Sequence, residues 1–376
     1  MSDRPPHAPG HKSRTCTRAA RCLAIALLSA LALAALYEPP AQPDTQILKN
    51  DQPASGRDPA RAVLYQGRGI QLVKDGKLDL ALEQFHRAAA YDPLNMNIIV
   101  NMAYVLDKLG RYQEAVEELK DAEKIDSHNV MIYLNWGNSL INLKKFNEAL
   151  QPLQKAVDLD PSNRLAYVNL AAAFNDLGRY RDAAAQFEKA ISLDPKNTAL
   201  IYDLAAIWSS LGENDKAIQR YEQVISLDPS NELAYVNLGS TLHHLGRYQD
   251  AARQLQKAVD LDPGNIALIS ILANIWSSHG ETDKAIELYE HIIRISPRNL
   301  SAYYNCAALY EKQGNLDAAI ATIRGAIKLN ADNSTLRELL SRLLAARASQ
   351  NPSLNMEGGA GVSNPPAESP AQRLAP

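Results

Sequence analysis

The hexapeptide LAYVNL occupies Leu165–Leu170 and recurs unchanged at Leu233–Leu238, 68 positions later. IWSS behaves the same way, at Ile207–Ser210 and Ile275–Ser278, and LGRY begins at Leu109, Leu177 and Leu245. Identical residues at a fixed interval belong to a chain built from one repeated supersecondary unit, so the period must be found first. The prolines give it. Pro59, Pro93, Pro161, Pro195, Pro229, Pro263 and Pro297 share a 34-residue grid, with Ser127 and Ala331 at the grid points that lack proline. The 68-residue interval is two units. Neighbouring units alternate in type, and eight of them run from Ala62 to Asn333.

Each unit predicts two helices. In the sixth, helix A covers Glu232–His244 and helix B covers Gln249–Leu261, with Gly246 between them as a left-handed C-cap. Seven units carry that glycine (Gly76, Gly110, Gly178, Gly212, Gly246, Gly280, Gly314), and Lys144 stands in the remaining one. Helix B halts at Asp-Pro, because proline lacks the donor and its ring clashes with the preceding turn. Asparagine opens the next helix every time, at Asn95, Asn129, Asn163, Asn197, Asn231, Asn265, Asn299 and Asn333. As an N-cap each is worth about 0.5–2 kcal/mol. Small residues set the approach of the helices. The eighth position is glycine or alanine throughout, and the twentieth is alanine in all eight units, from Ala81 to Ala319. A larger side chain there would overpack by about 1–3 kcal/mol. After the last unit, Ser334–Arg347 reads as a capping helix whose face of Leu336, Leu339, Leu340, Leu343 and Leu344 covers the end of the stack.

This spacing of aromatic, Gly/Ala, alanine, aromatic, alanine and proline resembles the tetratricopeptide repeat family over 272 of the 376 residues. The resemblance implies an all-α, right-handed α-solenoid of antiparallel helix pairs with helix A lining its concave side. It also implies protein or peptide segments as partners, with no cofactor. Val224 and Ile292 depart from the pattern, replacing a small residue near the end of helix B.

The flanks differ from the repeats. Arg4, Lys12, Arg14, Arg18 and Arg21 precede an uncharged run at residues 22–37, ended by Glu38-Pro39-Pro40. At 16 residues the run is shorter than the roughly 17–25 of an ordinary span. It reads as an uncleaved membrane anchor or as a signal peptide cut after Ala32-Leu33-Ala34, with an organellar targeting peptide as a lesser alternative. The basic leader places the repeats on the non-cytoplasmic side, in a bacterial periplasm, whether tethered or released. Residues 38–57 read as a flexible linker and 348–376 as a disordered tail.

Net charge is −3, which points away from nucleic acid. The three cysteines, Cys16, Cys22 and Cys306, form no disulfide framework. No phosphate loop, H-E-x-x-H or paired-cysteine spacing occurs, so the chain reads as a non-enzyme. His243 and His244 are adjacent on one helix and point about 100° apart, a poor arrangement for sharing a metal.

The candidate binding residues lie on helix A. Its sixth position reads Gly67, Asn101, Asn135, Asn169, Asp203, Asn237, Ile271 and Asn305. A primary amide both donates and accepts, which suits bidentate contact with an extended peptide backbone. The row resembles the asparagine ladder in the repeat region of O-linked N-acetylglucosamine transferases and in armadillo-type import receptors. Beside it, the fifth position holds Val100, Leu134, Val168, Tyr202, Val236 and Tyr304, as apolar pockets or as helix packing. Lysine is absent there, which rejects the carboxylate-clamp subtype. Two functions follow as expectations. The first is a scaffold that holds partner segments during assembly of a membrane or envelope complex. The second is a homo-oligomeric platform built by stacking between molecules.

Overall fold

A computed structural model of the chain describes residues 57–350. Among these residues the regular structure is entirely helical. The chain divides into two compact units, Met1–Asn237 and Leu238–Pro376, with the boundary inside one helix. In the first unit α1 (Pro59–Lys74) packs on α2 (Leu78–Tyr91), α3 (Met96–Lys108) on α4 (Tyr112–Ile125), and α5 (Val130–Asn142) on α6 (Phe146–Leu159). There too α7 (Arg164–Asp176) packs on α8 (Tyr180–Leu193) and α9 (Thr198–Ser210) on α10 (Asn214–Leu227). The boundary helix is α11 (Glu232–His244). The second unit continues with α12 (Tyr248–Leu261), α13 (Ile266–Ser278), α14 (Thr282–Ile295), α15 (Leu300–Lys312), α16 (Leu316–Leu329) and α17 (Ser334–Gln350). Each unit is thus an α-solenoid segment of helix hairpins, the all-α class expected.

The turn inside each hairpin closes by one rule. In the first unit Gly76, Gly110, Gly178 and Gly212 take φ between 73° and 76°, which the missing Cβ makes cheap. The amide two residues beyond the cap then bonds back into the helix, as from Arg111 to the Leu106 carbonyl and from Arg179 to Phe174, each at 2.8 Å. This is the Schellman closure. Lys144 takes φ 61° and makes the same closure, Lys145 N to Leu140 O at 2.8 Å, so the surrounding repeat imposes a left-handed backbone on a side chain that resists it.

The turn between hairpins closes through aspartate and asparagine together. The Asp194 carbonyl accepts from Asn197 N at 3.2 Å, Asp194 Oδ2 accepts from Asn197 Nδ2 at 3.0 Å, and Asn197 Oδ1 caps Leu200 N at 3.3 Å. Asn129, Asn163, Asn231, Asn265, Asn299 and Asn333 cap their helices likewise. Asn95 is the exception to the expected capping. Its amide turns to the buried Asp92, at 3.2 Å from Oδ2, while Arg57 holds Oδ1 at 2.7 Å.

Packing follows the small residues. The eight alanines at the twentieth position, from Ala81 to Ala319, are all fully buried, as are Val224 and Ile292. A Cβ built on Gly137 would meet Leu153 at 2.4 Å, so glycine lets α5 and α6 close. Pro152 lies inside α6, off the 34-residue grid; the sequence reading did not single it out. Surface ion pairs three residues apart at the start of helix B place the basic residue first in the second, third (Lys145–Glu148), fourth and sixth repeats and the acidic residue first in the fifth and seventh. Arg111 precedes Glu114 and Arg179 precedes Asp182, whereas Glu213 precedes Lys216; in the second unit Arg247 precedes Asp250 and Glu281 precedes Lys284.

In the second unit Leu336 and Leu343 of α17 bury against the Ile320 and Ile323 side of α16, with Leu339 and Leu340 partly covered. Leu344 is 37% exposed and stays off that face. The helix also continues to Gln350, three residues past the expected boundary, because Ala345, Ala346 and Ala348 are strong helix formers.

The membrane expectation is corrected here. No helix among the described residues is long and apolar enough to cross a membrane. The repeat helices have 13–16 residues, mostly one turn or more short of the roughly 20 a span requires. The run at residues 22–37 lies outside the described residues, and the anchored, non-cytoplasmic placement is withdrawn.

Candidate protein-binding face

Helix A of each unit carries the candidate row at its sixth position, and the structure places its members in different states. In the first unit Asn101 is 2% exposed and its Nδ2 has no protein partner; Asn169 is 3% exposed and its Oδ1 has none. Asn135 Nδ2 donates back to the Met131 carbonyl at 3.0 Å within α5. Asn237 Nδ2 donates to the Tyr202 hydroxyl, bridging α11 to α9. Asp203 is partly buried, and burial, without a balancing charge or hydrogen bond, pushes its carboxyl from 3.8 up to about 7. In the second unit Ile271 is 47% exposed at the corresponding place, and Asn305 is exposed.

The fifth position is mostly packing. Val100, Val168 and Tyr202 are each 8% exposed and Leu134 5%, so they fill the space between helices. Tyr202 also meets Tyr221 edge-on at 5.8 Å. Val236 and Tyr304 are partly buried. Tyr304 and Asn305 line a cavity of about 530 Å³ with Glu311, Leu339 and Arg342.

The sequence reading missed a second polar group on the same helices. Asp107 on α3 accepts from Ser139 Oγ at 2.7 Å and from Asn138 Nδ2 at 2.9 Å, both on α5 of the next repeat. Burial raises its carboxyl to about 6, against the two hydrogen bonds and nearby Lys108 that hold it down. Ser139 Oγ also lies 2.9 Å from the Asn135 carbonyl. One hydroxyl proton cannot serve both acceptors fully. With Asp107 protonated, its own O–H donates to Ser139, which then donates to Asn135. The only clue in the sequence was a charged residue closing the apolar run Met102–Leu106.

A histidine-rich cavity of about 300 Å³ occurs in the second unit, lined by Ser240, His243, His244, Ile271, Asn274 and Ser278 among others. His244 Nδ1 lies 2.7 Å from the Ser240 carbonyl, so that nitrogen is the donor. The rings of His243 and His244 are 6.1 Å apart at 77°. Burial, then His244 and His279, holds the His243 imidazole below its ordinary value. Cys306 is buried and its thiol is pushed up to about 12, mainly by burial.

A tetratricopeptide repeat family model matches residues 72–130, 174–242, 210–275 and 277–343, and a second model of the same description matches 134–198. The chain belongs to the tetratricopeptide repeat family. Among solved structures, the C-terminal part of a TPR repeat-containing protein from Cytophaga hutchinsonii is similar, with a TM-score of 0.55. It is 18% identical, and the match covers 64% of this chain and 99% of that one. MamA (41-end) from Desulfovibrio magneticus RS-1 matches at 23% identity and TM-score 0.43, over 46% of this chain and 97% of that one. YrrB, described as a TPR protein with an unusual peptide-binding site, matches at 23% and 0.42, over 50% and 97%. No curated protein matches the chain. Membership gives the tetratricopeptide repeat protein the coarse function of that fold, a scaffold for binding other proteins.

Proposed function

We propose that this tetratricopeptide repeat protein is a non-enzymatic scaffold whose A-helices receive an extended segment of a partner protein. The carrying observation is the row at the sixth position in the first unit. Asn101 Nδ2, Asn169 Oδ1 and the Asp203 carboxylate have no protein partner there. More than nine-tenths of buried polar groups are normally paired, and each unpaired one costs about 1–3 kcal/mol. Two such amides and the partly buried Asp203 carboxylate at one register position, in repeats two, four and five, suit a ligand that brings its own donors and acceptors in a regular series. A polypeptide backbone does this independently of its sequence. Reaching Asn101 and Asn169 requires their amides to turn outward about their own side-chain bonds, which a gained hydrogen bond offsets.

The test is direct. Fluorescent pools of random-sequence dodecapeptides are titrated into the full chain and into the N101A/N135A/N169A variant. Binding to the parent that falls at least tenfold in the variant, with unchanged circular dichroism, supports the row. Equal binding to both removes it from consideration.

A further inference from the structure

Asp107 and Asp203, two of the carboxylates on the A-helices of the first unit, are not equivalent. Asp107 is served by Ser139 and Asn138 from the next repeat. Asp203 is served by nothing, and burial alone acts on it. The reason lies in the neighbouring repeat. One repeat further on, the residue at this register is Asn237, and it reaches back to the Tyr202 hydroxyl at the fifth position. By the 34-residue repeat, the equivalent partner of Asp203 is Val168, whose side chain has no donor. Beside Val168 stands Asn169, 3% exposed, with an amide oxygen that also lacks a donor.

An ionised carboxylate and an amide oxygen at one register are acceptors only. The ligand must therefore supply N–H groups, and a positive charge would answer the carboxylate. A guanidinium meets both needs, with five donors in a planar fork that stays protonated. We propose that Asp203, with Asn169, forms a subsite for a cationic side chain, arginine above all, on the bound segment. This rests on the groove reading above and adds to it a specificity that a backbone ladder alone lacks.

The experiment uses two further dodecapeptide pools, identical except that a fixed central residue is arginine in one and citrulline, its uncharged isostere, in the other. The full chain should bind the arginine pool at least tenfold more tightly at pH 8. D203N should abolish the difference, so that the variant binds the arginine and citrulline pools equally. The preference should shrink at pH 5, where Asp203 is protonated. Equal affinity for the two pools, or a preference that survives D203N, overturns the subsite. In that case citrulline-pool binding that still depends on Asn101 and Asn135 leaves the groove standing. No binding of either pool overturns both.

Discussion

Replacing Asp203 by asparagine keeps the shape of the side chain and removes its charge. In the unfolded chain the carboxyl titrates near 3.8 and in the folded protein near 7, because burial disfavours the anion. The folded state therefore loses stability as pH rises from about 4 through about 7. The loss is complete above the folded value and absent below the unfolded one. At about 1.4 kcal/mol per pH unit the ceiling is about 4 kcal/mol. Partial exposure of the residue lowers this to roughly 1–3 kcal/mol. D203N should accordingly stabilise the protein by that amount at pH 8 and by progressively less towards pH 4. Urea unfolding followed by circular dichroism reads the pH dependence. Hydrogen exchange on α9 reads it locally, which matters because repeat arrays open in parts. An equal gain at pH 4.5 and pH 8, or no gain at pH 8, would show that Asp203 finds a donor in solution.

Three further outcomes follow from the same geometry. Lys144→Gly releases a left-handed backbone worth about 1–2 kcal/mol against a denatured-state entropy of about 0.4–1, so exchange at α5–α6 amides should slow by a net 0.5–1 kcal/mol. Ser139→Ala removes a donor from Asp107, should cost about 1–3 kcal/mol in urea at pH 8, and should move the Asp107 carboxyl above about 6 in a ¹³C NMR titration. Asn231→Ala should cost about 1 kcal/mol as a lost cap, and Asn95→Ala measurably less, because only the Asn231 oxygen caps its helix; thermal melts of the two variants compare them.

The fold was legible because each local rule recurs in at least six of the eight units. Proline stops, glycine reversals, asparagine caps and buried alanines all point to one hairpin, and no single violation outvotes them. Lys144 shows the limit of local propensity, since its neighbours impose the glycine conformation on it. The candidate face was legible only as a register. Whether an amide on it is open or paired depends on surroundings the register does not state, the Met131 carbonyl of its own helix for Asn135 and a side chain one repeat away for Asn237. Asn237 meets a tyrosine hydroxyl there, whereas the residue equivalent to that tyrosine for Asp203, one repeat back, is Val168, which has no donor. The Asp107–Ser139–Asn138 group was hidden for the same reason, because its members come together only when α3 and α5 pack.

The fourth to eighth units differ from their neighbours at a buried position. The buried residue near the end of helix B is Ala190 in the fourth unit and Val224 in the fifth, then Ala258 and Ile292 in the sixth and seventh. From the fourth unit onward two kinds of residue therefore alternate at this position, whereas the first three units all carry alanine there (Ala88, Ala122, Ala156). Excising a single 34-residue unit from that alternating stretch would splice a face onto a partner shaped for the other kind. Removing a 68-residue block restores the original match at the splice. In the fourth to eighth units the exchangeable module, for recombination or for engineered lengthening, is the pair.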